Sequence, residues 1–573
     1  MKGTSGTMKK LCGKKSRFIL GVVLFFLLSA NLLYWGSRKE GYFCDELYSY
    51  HFTHQLEHPY ITADREDGTW LDNWHPAEYF RDYLTLTKEE AFDFAGVWKT
   101  IRADVHPPFF YLLLAASSSI FTTVFPGIFT KWSGILVNIA FLMATLFFLW
   151  KLARELTESD FWSAVACILY GFSAGAASTV VFIRMYTVFT CFAVLFTYLN
   201  VLLWKTVRTK DGKKSGWLYP LLSLAAVLGI LNQYYFLIYA FFICVIIWGY
   251  ALWKRNYSFA LKYALAMATG IALSCLVWPE ILNDIFSGYR GEEAFDNLTA
   301  GGEWLDAVPD LWAVIDGELF GKGALLLLIF AAGLAACRFL SIWWRVERHL
   351  SEDGSMHLLF EKRNPCKKME LQFEVRDLIF VQILTAVFFY LVLISKIAPY
   401  LEDRYIFPVY PMIVLLVVMA ARKLVAGMPK GITAVVCTVL FACMLLGYLS
   451  PGVNYLYRGT ENKLQTVSMY SDLPVFYVTS GSSYRACGES VYFSKAERTY
   501  PVRGELIGTI PEALAGLEDE EGFGHRNESR CLVYIDLNYE DYELMAQDIG
   551  NMFPDGQMRW LFDTEYSAVY IVE

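Results

Sequence analysis

Asp45 and Glu46 are adjacent acids in "CDELYSY", a short way beyond the first long apolar run of the chain. A carboxylate there could take the proton from an attacking hydroxyl. The same pair also reads as a solvated loop, because no motif fixes its geometry. Four basic residues stand at the edges of other apolar runs: His106 in "DVHPPFFYLLL", Arg184 in "IRMYTVF", and Lys396 and Arg404 in "KIAPYLEDRY". All four fall on the face where the positive-inside rule does not favour cations, so each needs a partner. A bound anion such as a lipid phosphate is one; Glu402 and Asp403 in a local ion pair are another. Arginine can grip phosphate oxygens through two parallel N–H groups. A departing phosphate needs such cationic stabilisation more than it needs a proton.

Other chemistries find less support. His51, His54 and His58 fall at i, i+3 and i+7, so one helix could present them together. No fourth ligand follows at metal spacing, and the polar face of a juxtamembrane helix is the favoured reading. The sequence has no CxxC pair, no P-loop and no glycine-rich phosphate turn. No metal, cofactor or nucleic-acid partner is expected.

The elements that must hold these residues are membrane helices. The chain has 573 residues, 55% of them hydrophobic and 18% charged, with mean hydropathy +0.36. That composition belongs to polytopic membrane proteins. The first apolar run, Phe18 to Trp35, follows Lys9, Lys10, Lys14, Lys15 and Arg17 and reads as an uncleaved helix with a cytoplasmic N-terminus. Later basic clusters lie at Lys151/Arg154, Lys205 to Lys214, Lys254/Arg255, Arg345 to Lys368 and Arg422 to Lys430. All belong inside. That holds only if Pro107 to Phe121 dips into the outer leaflet without crossing. Its prolines suit a helix start, and Ser117 to Ser119 suit an interfacial helix. The remaining runs then give about eleven crossings, including single spans at 161–181 and 322–342. The long loop 36–131 and the loop 279–321 face outward. A membrane domain, 1–450, is followed by an extracytoplasmic α/β domain, 451–573, with 20 acids against 9 bases. The fold class is thus an α-helical polytopic membrane protein with a small C-terminal α/β domain, placed in the plasma membrane.

Taken together, "CDELYSY", "DVHPPFFYLLL", "IRMYTVF" and "PYLEDRYIFPVYP" resemble the signatures of GT-C glycosyltransferases. The branch they resemble is the protein O-mannosyltransferase and aminoarabinose transferase superfamily, over residues 17 to about 425. The resemblance implies a GT-C-like fold whose first outer loop carries two juxtamembrane helices. It implies an inverting transfer of a sugar from a polyprenyl-phosphate donor to an acceptor outside the cytoplasm, the acceptor being protein, lipid or glycan. Asp45 matches the general base, with Glu46 orienting it or the acceptor. His106 matches a position where a basic residue meets the donor phosphate, and Arg404 with Tyr405 matches the Arg-Tyr of a late outer corner. Arg184 and Lys396 join them as donor-phosphate candidates. The chain departs from the pattern twice. The corner "VFIRMYTVF" lacks the second acid of many relatives. Lys131 in "TKWSG" stands where an arginine often opens the second span, and it can act only as a point charge.

Two other functions fit many spans and outer charges: a lipid-linked sugar transporter or flippase, and a non-catalytic envelope assembly protein. A transporter calls for central charges or repeated halves, and the spans offer neither. In "REDGTWLDNWHP" (Arg65 to Pro76) the tryptophans read as interfacial anchors. Cys487 and Cys531 could pair in an oxidising compartment.

Overall fold

A computed structural model describes the chain apart from residues 1–2, 57, 63–69, 210–215, 301–306, 351–355, 363–374, 401, 519–529, 554–556 and 573. It divides into two units.

The first unit comprises Met1–Asn31, Ala140–Thr179 and Tyr186–Asn454. Across the described chain, six helices are long and apolar enough to cross a membrane, or eight if each of two bent pairs is one span. The protein is a multi-pass membrane protein. Burial sorts its helices. In Tyr186–Lys205, 83% of the apolar window is buried within the protein; in Tyr257–Val277, only 28% is. The first is therefore interior to its bundle and the second faces lipid, with Leu261, Leu265, Ile271 and Leu276 exposed. Two threonines on the interior helix return to its own backbone. Thr190 donates to the Tyr186 carbonyl at 2.8 Å and Thr197 to that of Ala193 at 2.9 Å.

The structure corrects several spans. The expected single span 161–181 is broken into Asp160–Gly171 and Ala174–Val181, bent by 56°. Ser173 caps the second piece: its Oγ accepts from the Ala176 N–H at 3.1 Å. The outer loop 279–321 is largely helical, with Ile281–Phe286, Tyr289–Thr299 and Ala307–Phe320. The last of these meets Ala324–Phe339 at a 76° bend, so 322–342 is half of a bent pair. The glycine at the bend, Gly321, takes φ +58. The count of about eleven crossings is not reproduced. The first helix, α1, runs from Gly3 to Ser37, whereas Leu218–Ile230 and Lys430–Leu446 fall below full spanning length. Of the basic stretch 345–368, residues 351–355 and 363–368 lie outside the described residues. Its remainder forms an antiparallel ladder of β2 (Trp344–Leu350) with β3 (Met356–Lys362).

The second unit comprises Leu32–Ile139, Val180–Met185 and Tyr455–Glu573. Residues 455–573 supply most of a sheet that also draws on the outer loop. Six strands lie in the order β1 (His75–Pro76), β5 (Arg498–Arg503), β4 (Val475–Thr479), β6 (Cys531–Asp536), β8 (Ser567–Val572), β7 (Met558–Asp563). β4 runs parallel to β5 and β6; the other pairs are antiparallel. β4 and β6 are buried along their whole length, as a sheet covered on both faces requires. The outer loop carries four helices rather than two: α2 (Cys44–His54), α3 (Ala77–Leu84), α4 (Phe94–Ile101) and α5 (Phe109–Val124). α5 has 16 residues. At about 24 Å it falls short of a hydrocarbon core of about 30 Å.

Trp70 and Trp74 are not interfacial anchors. Trp70 is buried and stacks on His75 at 4.9 Å, in one apolar cluster with Tyr477 and Tyr534 of the sheet. Trp74 packs on Phe476 and Tyr500 at 5.2 and 5.0 Å. The Arg65 to Thr69 part of that motif lies outside the described residues. Cys487 and Cys531 are free, buried thiols in two different clusters, so they do not pair.

Candidate functional site

α2 begins five residues after Lys39 and is fixed from its first turn. Glu46, its third residue, reaches back to the Phe43 N–H at 2.8 Å, the acidic half of a capping box. The same carboxylate binds the Lys39 ammonium at 2.9 Å and accepts the Ile183 N–H at 2.7 Å. Both side chains of the pair are 0% exposed. Burial pushes the Glu46 carboxyl up and the Lys39 ammonium down, and each charge opposes the shift of the other. Glu46 therefore positions α2 and cannot reach an acceptor. Lys39 also donates to the Tyr455 carbonyl at 2.8 Å.

The bond to Ile183 ties α2 to the short corner that carries Arg184. Asn138 holds this corner from the other side, donating to the carbonyls of Val180 and Phe182 at 3.0 and 2.8 Å. Gly134 lets it approach: a Cβ there would lie 2.1 Å from the Ile183 Cγ2. The Lys131 ammonium, by contrast, is turned to the end of the first helix. It donates to the Ser37 carbonyl at 3.2 Å and to that of Lys39.

Arg184 is buried and gathers the site around it. Its Nη1 donates to the Asp45 main-chain carbonyl at 3.2 Å, to Ser49 Oγ at 3.1 Å and to the Tyr111 hydroxyl at 3.2 Å. Asp45 and Ser49 are one turn apart on one face of α2. Arg184 Nη2 lies 3.4 Å from His106 Nε2, and His106 Nδ1 lies 2.7 Å from Asp104 Oδ2. A guanidinium can only donate, so Nε2 accepts and the ring proton sits on Nδ1, given to Asp104. Burial raises the Asp104 carboxyl, but His106 and Arg184 together hold it below its ordinary value. Burial also pushes the Tyr111 hydroxyl up, keeping it protonated.

Asp45, His106 and Arg184 are thus brought together, with Glu46 behind them. Sequence reasoning missed Asp104, Tyr111 and Ser49 as members. The D-x-H-P-P spacing was the available signal for Asp104, since the prolines fix the turn that brings residues 104 and 106 into contact. His51 and His54 are buried rather than on a polar face, and α2 ends before His58. Among the described residues no cluster of three or more potential metal ligands occurs.

Lys396, Arg404 and Tyr405 belong to the first unit. Lys396 donates to the Ala300 carbonyl at 3.0 Å and does not join Arg404. Arg404 is buried, lies over the Tyr405 ring at 5.3 Å and sits 4.0 Å from Glu402. Tyr405 is fixed by the Tyr390 hydroxyl, which donates to its carbonyl at 2.7 Å. Glu402 and Tyr405 line a cavity of about 200 Å³ that also touches Ser395 and Tyr400. Asp403 belongs to an unanticipated carboxylate pair. Asn454 Nδ2 donates to Asp403 at 2.8 Å and to Glu318 at 3.0 Å, and the Tyr410 hydroxyl donates to Glu318.

No protein-family model and no curated protein matches the chain. Among solved structures, it is similar to that of ArnT from Cupriavidus metallidurans bound to undecaprenyl phosphate. Identity is 11%, coverage is 96% of this chain and 97% of the other, and the TM-score is 0.48. The apo state of the same ArnT gives 11% identity, 98% coverage of both chains and a TM-score of 0.48. The apo oligosaccharyltransferase of Archaeoglobus fulgidus gives 10% identity, coverage of 96% and 74%, and a TM-score of 0.44.

Proposed function

We propose that the protein is a membrane glycosyltransferase that moves a sugar from a polyprenyl-phosphate donor to an acceptor hydroxyl, with inversion and with Asp45 as general base. One observation carries this reading: Asp45 starts a rigid helix beside a buried arginine, which is itself linked to a His106–Asp104 couple. An acid beside a cation network is what the transfer needs. The acid takes the hydroxyl proton as the acceptor attacks the anomeric carbon. The C–O bond to the phosphate breaks, and its electron pair leaves with the phosphate oxygen. Arg184 supplies fixed N–H donors toward that charge, and the Asp104–His106 couple holds its guanidinium in place. Arg404, Tyr405 and Lys396 are assigned to the donor phosphate on the family resemblance and on their place at helix ends.

Asp45→Asn tests the reading. It keeps the size of the side chain but cannot take the proton. Turnover should fall by about 10²–10⁴-fold while donor binding stays intact. A purified Asp45→Asn protein that transfers sugar at near the wild-type rate would place the base elsewhere.

A further inference from the structure

Asn454 stands where three irregular pieces of the first unit converge. Its main-chain N–H donates to Ser178 Oγ at 3.0 Å, and that hydroxyl donates on to the Ala174 carbonyl at 3.0 Å. This contact holds the second half of the broken span, Ala174–Val181. The Asn454 Nδ2 carries two hydrogens, and both are used. One goes to Glu318 Oε1 at 3.0 Å, near the end of the first half of the bent pair, Ala307–Phe320. The other goes to Asp403 Oδ2 at 2.8 Å, in the one-turn corner Asp403–Tyr405. The second oxygen of Glu318 accepts from the hydroxyl of Tyr410, the first residue of the helix Tyr410–Val425.

The node is closely packed. A Cβ at Gly175 would lie 2.6 Å from the Tyr410 ring and 3.3 Å from Glu318 Cβ, and one at Gly317 would lie 2.9 Å from Pro451 Cδ. Broken backbone inside a membrane domain is tolerated only where protein covers it and satisfies its polar groups. A neutral amide nitrogen suits the join between two carboxylates, because it donates twice and brings no charge of its own. What separates this node from ordinary scaffolding is the residue it brackets. Arg404 lies between Asp403, whose side chain Asn454 holds, and Tyr405, whose carbonyl accepts from the Tyr390 hydroxyl at 2.7 Å. The Ile406 N–H closes the turn on the Asp403 carbonyl at 2.9 Å. The chain is thus pinned on both sides of Arg404. A guanidinium meets a phosphate in a defined geometry only if the backbone that carries it is held.

We propose that Asn454, with Glu318 behind it, is a positioning residue of the donor-phosphate site: it sets the 403–405 corner so that Arg404 presents its guanidinium to the phosphate of the lipid carrier. The inference rests on the reading that Arg404 meets that phosphate. Asn454 and Glu318 act through Arg404 and not on the donor itself. Their loss therefore weakens recognition of the phosphate and leaves recognition of the apolar polyprenyl chain as it was.

The full chain in detergent would be titrated with decaprenyl phosphate and with decaprenol, which lacks the phosphate. The wild type should bind the phosphate about tenfold or more tightly, as hydrogen bonds to a charged group allow. Asn454→Ala and Arg404→Ala should each remove that preference while decaprenol binding stays unchanged. Asn454→Ala/Arg404→Ala should be no worse than Arg404→Ala alone. Glu318→Gln should keep the preference, since its amide oxygen still accepts from Asn454 and its NH₂ can donate to the Tyr410 hydroxyl. Glu318→Leu should lose it. A preference lost in Arg404→Ala but intact in Asn454→Ala overturns the inference and leaves the donor reading standing. A preference intact in Arg404→Ala removes Arg404 from the donor site, and the inference falls with it. A merely structural Asn454 would lower the binding of both lipids together, or add its loss to that of Arg404→Ala, and either result also overturns the inference.

Discussion

α2 contains two histidines that make its stability depend on pH. His54 Nδ1 donates to the Leu84 carbonyl at 2.8 Å. Its Nε2 is buried and, among the described residues, has no hydrogen-bond partner. His51 is packed against Tyr83 at 5.0 Å, with Nδ1 3.6 Å from the Cys487 sulfur and an equally unpartnered Nε2. A second proton on either ring would be a buried charge without an acceptor. Burial therefore pushes His51 down to about 3, aided by His54, and His54 down to about 4, against the help of its carbonyl. The unfolded chain titrates near the ordinary value, about 6.5. The unfolded state then binds more protons than the folded one between about pH 6.5 and pH 4, so stability rises with pH across that window and is lost as pH falls through it. At pH 5 each histidine should cost about 2 kcal/mol relative to neutral pH, and the pair about 4 kcal/mol. The measurement is the unfolding midpoint of the full chain in detergent at pH 7 and pH 5, for wild type and for His51→Asn/His54→Asn. The wild-type midpoint should drop on acidification, and the variant should lose most of that drop while being less stable at pH 7. A wild-type midpoint independent of pH in this range, or a variant with the same slope, would refute the reasoning.

Glu46→Gln should destabilise the protein by about 3–5 kcal/mol, because Lys39 is left as an uncompensated buried charge; Lys39→Met/Glu46→Gln should recover part of that loss in the same unfolding assay. If Glu46→Gln instead unfolds like wild type, the pair does not hold α2. Asp104→Asn should lower turnover about tenfold or more, since the amide can donate to Nδ1 and turn the His106 N–H toward Arg184, setting two donors face to face. Combined with His106→Gln it should add little; full additivity of the two losses would mean that the residues act separately. An impermeant thiol reagent should label Lys88→Cys, but not Lys430→Cys, above the background of unmodified protein in intact cells, and the reverse pattern would invert the topology.

Periodicity and charge marked the membrane helices, α5 as a short segment, and the residues Asp45, His106 and Arg184. What they could not show is which polar groups meet over long separations. Asp45 and Arg184 are joined because Glu46 bonds the Ile183 N–H, a contact across 137 positions with no local trace. Tryptophan is enriched at membrane interfaces and in cores alike, so Trp70 and Trp74 read as anchors when they are sheet packing. The broken span at 171–174 did carry a sign: Gly171 before a Ser173 cap inside an apolar run. Glu318 was hidden for a different reason. An acid at the end of an apolar helix looks like a loop residue until Asn454, far along the chain, joins it to Asp403.

The charges of α2 explain why the candidate chemistry narrows to one side chain. The helix carries Asp45, Glu46, His51 and His54. Glu46 is balanced by Lys39 and fully hydrogen-bonded, and the two histidines are held neutral by burial. Only Asp45, partly exposed, is left on the face that meets Arg184 through Ser49 and its own carbonyl. The buried groups of the helix are thus paired or neutral, and Asp45 is the acid on its partly exposed face. A base that moved with a soft helix would lose the hydrogen-bond geometry that proton transfer requires, and about 1 Å of displacement is enough to cost about 10²-fold. Loosening Lys39–Glu46 should therefore lower turnover through Asp45 even though neither residue touches the reacting atoms. Lys39→Met/Glu46→Gln ought to show it as a lower kcat with an unchanged donor KM, measured below its unfolding midpoint.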